Sequence, residues 1–415
     1  MRATPVRLSL GVLFCLGLSL ALTACGSSSQ CNGCNFRTSP PQQTFLIAAG
    51  QPNSHSSQLL SFSVDSTTGA LGAPLSIAGP ASPLTGAPLT ALTAAQGMPF
   101  VYVSPQSPDF PEQVYGYSVN ASTGALTEIA SSPYTAESTV GLNSGFALNN
   151  FLYLGAAAQL TDGLAPAVEA FSIGSDGALS PSVAGSPFPI IPPGNDGGGN
   201  GPPLSARSPY VYAAAYNGAS GIAAFSIDQQ TGVLTEVAGS PFPITAHGAS
   251  GVPGYIVLDP YGFLYVTVTS YTLYGQDYIA GFLIDNTTGA LTPVPGSPFA
   301  VNPFGFSGLA LDLSGHYLFT AAAPDTIQEF QVNTSTGALT PMANTSAPIF
   351  GQFEVVGDYL YVPNSTYFGS SGGPSAIAAF SIDGSTGALA QVPGSPFAAG
   401  VPIVGMTAVT LPTPQ

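Results

Sequence analysis

Residues 282–291 read FLIDNTTGAL: an alternating strand end, a turn of the form Asp-x-x-Thr-Gly, and the start of a second strand. The turn has a local mechanism. An Asp or Asn oxygen accepts backbone N–H groups two and three residues on, and the glycine supplies positive φ. The same unit recurs as FSVDSTTGAL (62–71), YSVNASTGAL (117–126), FSIGSDGAL (171–179), FSIDQQTGVL (225–234), FQVNTSTGAL (330–339) and FSIDGSTGAL (380–389), seven copies in all. Their glycines (69, 124, 177, 232, 289, 337 and 387) are spaced by 48 to 57 residues. A period near 50 with four strands per unit is the size of a propeller blade.

Upstream of most units lie two more strands, clearest in YIVLDPYGFLYVTV (255–268) and GLALDLSGHYLFTA (308–321), each an alternating pair around a Gly-containing turn. The first repeat begins at Thr44 and lacks its inner strand, whereas 403–411 (IVGMTAVTL) forms a spare inner strand at the other end. The expected fold is therefore an all-β, seven-bladed propeller over 44–415, with four antiparallel strands per blade and the C-terminal strand completing the first blade. Asp65, Asp228, Asp285 and Asp383 read as turn formers, since their spacing does not suit a calcium loop. The recurrent Gly-Ser-Pro-Phe (185–188, 239–242, 296–299, 394–397) reads as a blade-exit turn whose phenylalanine packs between neighbouring blades.

Ahead of the repeats, 1–24 read as an export signal, with Arg2 and Arg7 before an apolar run. It ends in Leu22-Thr23-Ala24-Cys25, which resembles the bacterial lipobox, so Cys25 is the expected lipidated N-terminus. Residues 25–43 have a tether's composition. The membrane partner is reached through acyl chains (palmitate among them). Gly26 after Cys25 favours the outer membrane, its side left open. Within the tether, Cys31 and Cys34 form a C-x-x-C pair that reads as a small disulfide loop, with a redox or metal role as the other reading.

Processing at Cys25 leaves Arg37 and Arg207 against twenty acidic residues, a net charge of −18, with no lysine. That balance excludes nucleic acid as a partner and offers little to clamp a phosphate.

The repeat FSIDxxTGAL, with LDPYGFLYV (258–266), resembles the lactonase-like seven-bladed propellers, the 6-phosphogluconolactonase type among them, over 44–411. The resemblance implies a ligand site at the mouth of the central channel, where family enzymes use histidine, glutamate and arginine on an anionic lactone. Here the only arginine of the propeller, Arg207, falls on the opposite face, among the short turns. The irregular face collects loops 104–113, 157–167, 185–204, 270–278 and 363–375, and with them Asp109, Glu112, Glu137, Asp162, Asp196, Asp277 and Asp325. These acids suit a metal or carbohydrate site or a solvated rim. No motif demands a cofactor, and Ca2+ is the candidate that such a face offers. His247 is the candidate imidazole there, and Glu354, on an inner strand, the candidate channel carboxylate and general base. His55 and His316 read as surface or packing residues.

Two functions follow. The favoured one is a monomeric, membrane-anchored module that binds a glycan, a small neutral ligand or an envelope protein on its loop face. The alternative is a lactone hydrolase acting on a neutral lactone.

Overall fold

A computed structural model describes residues 42–413 except 54–55, 80–88, 96, 106–111, 137–138, 161–162, 191–200, 217–219, 245–250, 271–276, 302–307, 323–324, 348–350 and 365–374. The signal, the tether up to residue 41 and Cys25, Cys31 and Cys34 lie outside the described residues, as do His55, His247, Asp109, Glu137, Asp162 and Asp196. The chain divides into Met1–Pro40 and a unit spanning Pro41–Gln415. The latter unit is a seven-bladed propeller.

Every described element is a strand, and the strands fall into seven antiparallel sheets. Blade one is assembled from both chain ends in the order Leu75–Ala78, Ser56–Val64, Gln42–Asn53, Ile403–Pro412. The C-terminal strand pairs with the first from Gln42↔Pro412 to Gly50↔Ile403, so the ring closes as its sequence predicts. The first strand starts at Gln42, two residues ahead of the expected boundary. Residues 157–160 and 163–167, expected within a loop, are strand instead, since Phe151–Leu160 and Gly163–Ile173 stay paired to Leu160↔Gly163.

Outer strands differ from expectation. In blades two to seven the outermost strand is broken in two, and both pieces pair with the third strand. In blade seven these are Leu389–Gln391 and Phe397–Ala398, both on Ala376–Ile382. Gly-Ser-Pro-Phe therefore interrupts the outer strand instead of ending the blade. Each interruption strands an N–H of the third strand, and the motif's serine accepts it. Ser186 Oγ takes Ala170 N–H at 2.9 Å, Ser240 takes Ala224 at 3.1 Å, Ser297 takes Gly281 at 3.0 Å and Ser395 takes Ala379 at 2.9 Å. A buried N–H left unpaired costs on the order of 1–3 kcal/mol, which explains why a hydroxyl sits at this position. The Ser–Pro peptides there are cis.

The core lies between blades. Seven clusters of buried apolar residues fill the seven seams among the described residues. Phe188 belongs to the blade three–four seam, and Phe242, Phe299 and Phe397 pack against later ones. At every seam the aromatic that opens a second strand lies flat on the turn glycine of the next blade. A Cβ on Gly69 would fall 2.2 Å from the Tyr359 ring, and the pairs Gly124/Phe45, Gly177/Phe100, Gly232/Phe151, Gly289/Tyr210, Gly337/Phe263 and Gly387/Tyr317 repeat the contact at 2.2–2.5 Å. Two residues further along, a buried tyrosine donates to that glycine's carbonyl: Tyr102 to Gly177 at 2.8 Å, Tyr153 to Gly232 at 2.9 Å, Tyr212 to Gly289 at 3.1 Å, Tyr265 to Gly337 at 2.9 Å and Tyr361 to Gly69 at 2.9 Å. Ile47 and Phe319 occupy this position in blades one and six.

Candidate functional site

The turns behave as their sequence requires. Asp65, Asp228, Asp285 and Asp383 each accept two backbone N–H groups at 2.8–3.0 Å. These bonds hold the Asp65, Asp228 and Asp285 carboxyls below the usual carboxylate range. The Ser385 hydroxyl, with the turn N–H groups, takes Asp383 down to about 2. All four are spent on structure.

Glu354 is different. It opens the innermost strand of blade seven, Glu354–Val356, opposite Tyr361. Its Oε1 accepts the Ala408 N–H at 2.9 Å from the innermost strand of blade one, so the side chain bridges two strands that border the channel. No described donor meets Oε2. The residue is half-buried, and burial raises its pKa to about 7 against the opposing pull of the Ala408 N–H. At the same register the other innermost strands carry Thr407, Thr93, Phe146, Ser205, Val257 and Ala310. Glu354 is the single ionisable side chain on this ring of seven, with three hydroxyls at its level.

The acids assigned to the loop face do not form one group. Glu112 is a correction: it is the first residue of strand Glu112–Val119 and fully buried. Its Oε2 accepts Leu142 N–H of the next blade at 2.8 Å, and its Oε1 accepts the Ser104 hydroxyl at 3.3 Å. It ties blade two to blade three. Asp277 is built into the start of strand Asp277–Ile284, between Thr269 and Val301. Asp325 is exposed, at φ 45°, with its carbonyl bonded to Ala347 N–H. Among the described residues no cluster of His, Cys, Asp and Glu is close enough to hold a metal ion, which leaves Ca2+ without a described ligand set.

Two buried glutamates escaped the sequence reading. Glu169 accepts the hydroxyls of Ser182 and Ser186 at 2.7 and 3.0 Å. Glu329 accepts Thr345 Oγ1–H at 2.6 Å, and burial raises its pKa. Both serve the interrupted outer strand. The available signal was an acid just before the third-strand Phe, EAF at 169–171 and QEF at 328–330, where blades four, five and seven have AAF or AGF and blades one and two have LSF and YGY.

Arg207 lies on the short-turn face, as expected, donating to the carbonyls of Asp259 and Pro260 at 3.4 and 3.2 Å. His316 lies on the same face, exposed, in the inner hairpin of blade six.

No protein-family model matches the chain, and no curated protein matches it. Solved structures do. A protein of Bacteroides uniformis provisionally named 6-phosphogluconolactonase matches at 18% identity and TM-score 0.65, covering 89% of this chain and 99% of its own. A Bacteroides fragilis protein of the same provisional name matches at 19% and 0.62, covering 90% and 99%. The periplasmic gluconolactonase PpgL of Pseudomonas aeruginosa matches at 16% and 0.65, covering 89% and 99%. The chain therefore has the fold of the 6-phosphogluconolactonase-like propellers.

Proposed function

We propose that the protein hydrolyses a neutral lactone at its central channel, with Glu354 as general base. The observation that carries this reading is the Glu354 carboxylate itself. Oε1 is held by Ala408, Oε2 is free of described donors, and its pKa of about 7 is poised to take a proton from water at neutral pH. The likeness in fold to proteins named as gluconolactonases supports the reaction class. The lone arginine of the described residues sits on the other face, which favours a substrate without phosphate.

In this mechanism Oε2 takes a proton from a channel water as the water oxygen bonds to the lactone carbonyl carbon. The half-buried hydroxyls of Thr407 and Ser205 at the same level supply neutral donors to the oxyanion. Collapse breaks the ring C–O bond, and the proton on Glu354 passes to the departing alkoxide. The product is a hydroxy acid, whose charge the acidic chain repels, aiding release.

The test is proton release from glucono-δ-lactone by purified protein. Turnover above the spontaneous rate that is lost in Glu354→Gln supports the reading. Turnover unchanged in that variant, or absent in the wild type, overturns it, and saturable lactone binding without turnover would restore the binding-module alternative.

Delivery to the cell envelope through lipidation of Cys25 is part of the same proposal. Cys25→Ser should move the protein from the membrane to the soluble fraction; retention in membranes would refute the anchor.

A further inference from the structure

On the face of the short turns, away from Glu354, a groove of about 560 Å3 runs between blades six and seven. Its floor is Tyr317 and Val332, both buried, and its walls carry Gln331, Thr334, Thr340 and His316. The Gln331 amide and the hydroxyls of Thr334 and Thr340 are polar and free of partners among the described residues, so a ligand would meet unspent donors and acceptors.

The rim is fixed by a directed chain of hydrogen bonds. Asp312 Oδ2 is an acceptor, so the Ser314 hydroxyl donates to it. Ser314 Oγ then accepts from His316 Nδ1–H at 3.0 Å, and His316 Nε2 bonds the Tyr261 hydroxyl at 3.0 Å. These bonds hold the His316 ring against Tyr261, centroids 5.8 Å apart and 22° from parallel. Tyr261 is 43% exposed. The result is an aromatic edge, the His316 ring backed by Tyr261 of blade five, beside a hydroxyl- and amide-lined trough.

We infer that this groove binds a neutral saccharide, independently of the channel. A pyranose presents an apolar C–H face to an aromatic ring and a rim of hydroxyls to amides and hydroxyls, which is the complement of this surface. The nearby acids, Asp312 and Asp383, are committed to their turns by backbone N–H groups and leave the groove no cation to pair with an anionic sugar. The volume lies in the range of small-ligand sites and takes one or two rings.

The experiment is calorimetric titration of the purified protein with maltose, cellobiose, lactose and N,N′-diacetylchitobiose, with glucose 6-phosphate as the anionic arm. The expected result is saturable binding of at least one disaccharide at millimolar concentration and none of the phosphate ester. Gln331→Ala and His316→Ala should each weaken it about tenfold with unchanged melting temperature, and Glu354→Gln should leave it intact. Binding of none of the four disaccharides, or binding that survives both groove substitutions, overturns the inference. Loss of binding in Glu354→Gln would relocate the site to the channel and overturn it equally.

Discussion

The Tyr361 hydroxyl donates to the carbonyl of Gly69 at 2.9 Å, across 292 positions of sequence, and the ring of Tyr359 covers the same glycine. The ring-on-glycine contact recurs at all seven seams and the hydroxyl bond at five of them, so the closing seam is built like the rest. Gly69 has φ +72°, where a side chain is disfavoured, and a Cβ there would enter the Tyr359 ring. Gly69→Ala should therefore cost about 1–2 kcal/mol for the left-handed backbone and about 1–3 kcal/mol for the overlap. Gly97, at φ +75° and with nothing within 4 Å of the place a Cβ would take, separates the two effects. Gly97→Ala should show the backbone cost alone in denaturant titrations. Equal losses at both sites would mean that the aromatic–glycine contact contributes nothing.

The hydroxyl half of the seam is testable in both directions. Tyr361→Phe removes the donor to Gly69 and should destabilise by roughly 0.5–1.5 kcal/mol. Blade six carries Phe319 where five blades carry the tyrosine, and its seam has the same stacked pair, Tyr317 on Gly387. Phe319→Tyr should supply the missing bond to Gly387 and raise stability by a similar amount. A drop in melting temperature for Phe319→Tyr would show that the blade six seam has no room for the oxygen.

Closure by the last strand predicts an all-or-none outcome on truncation. Ile403, Met406, Val409 and Leu411 are buried against blades one, two and seven, and the whole strand pairs with Gln42–Asn53. Deleting 403–415 uncovers both seams and frees a long strand edge, so the product should be insoluble or lack a cooperative melt. A soluble truncated protein with a sharp transition would contradict this.

Blade number, turn chemistry and ring closure were legible in the sequence because each rests on local signals: Asp or Asn accepting from residues two and three positions on, a closing glycine, and alternation within nine residues. What was not legible depends on partners far along the chain. Glu112 looked like a loop acid because its flanks are irregular, but the N–H it satisfies belongs to Leu142 in the next blade. The serine of Gly-Ser-Pro-Phe looked like part of an exit turn because the N–H it caps lies sixteen residues earlier on another strand. Glu354 was placed on an inner strand by hairpin spacing, yet its elevated pKa comes from the enclosure made by blade one, reached only when the ring closes.

That enclosure gives Glu354 a pH signature in both stability and rate. Its native pKa of about 7 lies above the ordinary 4.5, so the folded state holds the proton more tightly than the unfolded chain. Below pH 4.5 both states are protonated and the group is neutral to stability. As pH rises from 4.5 to 7 the unfolded chain loses its proton first, so this residue makes the protein progressively less stable, by on the order of 3 kcal/mol at most, and the effect levels off above pH 7. Glu354→Gln keeps an oxygen for the Ala408 N–H and cannot ionise. It should match the wild type near pH 4 and exceed it in melting temperature at pH 8. The rate runs the other way: the base must be ionised to accept a proton, so lactone turnover should rise with pH through an apparent pKa near 7 and plateau above it. Melting curves of the two proteins that stay parallel from pH 4 to pH 8 would show that Glu354 titrates normally, and the base assigned to the channel would then have lost its physical ground.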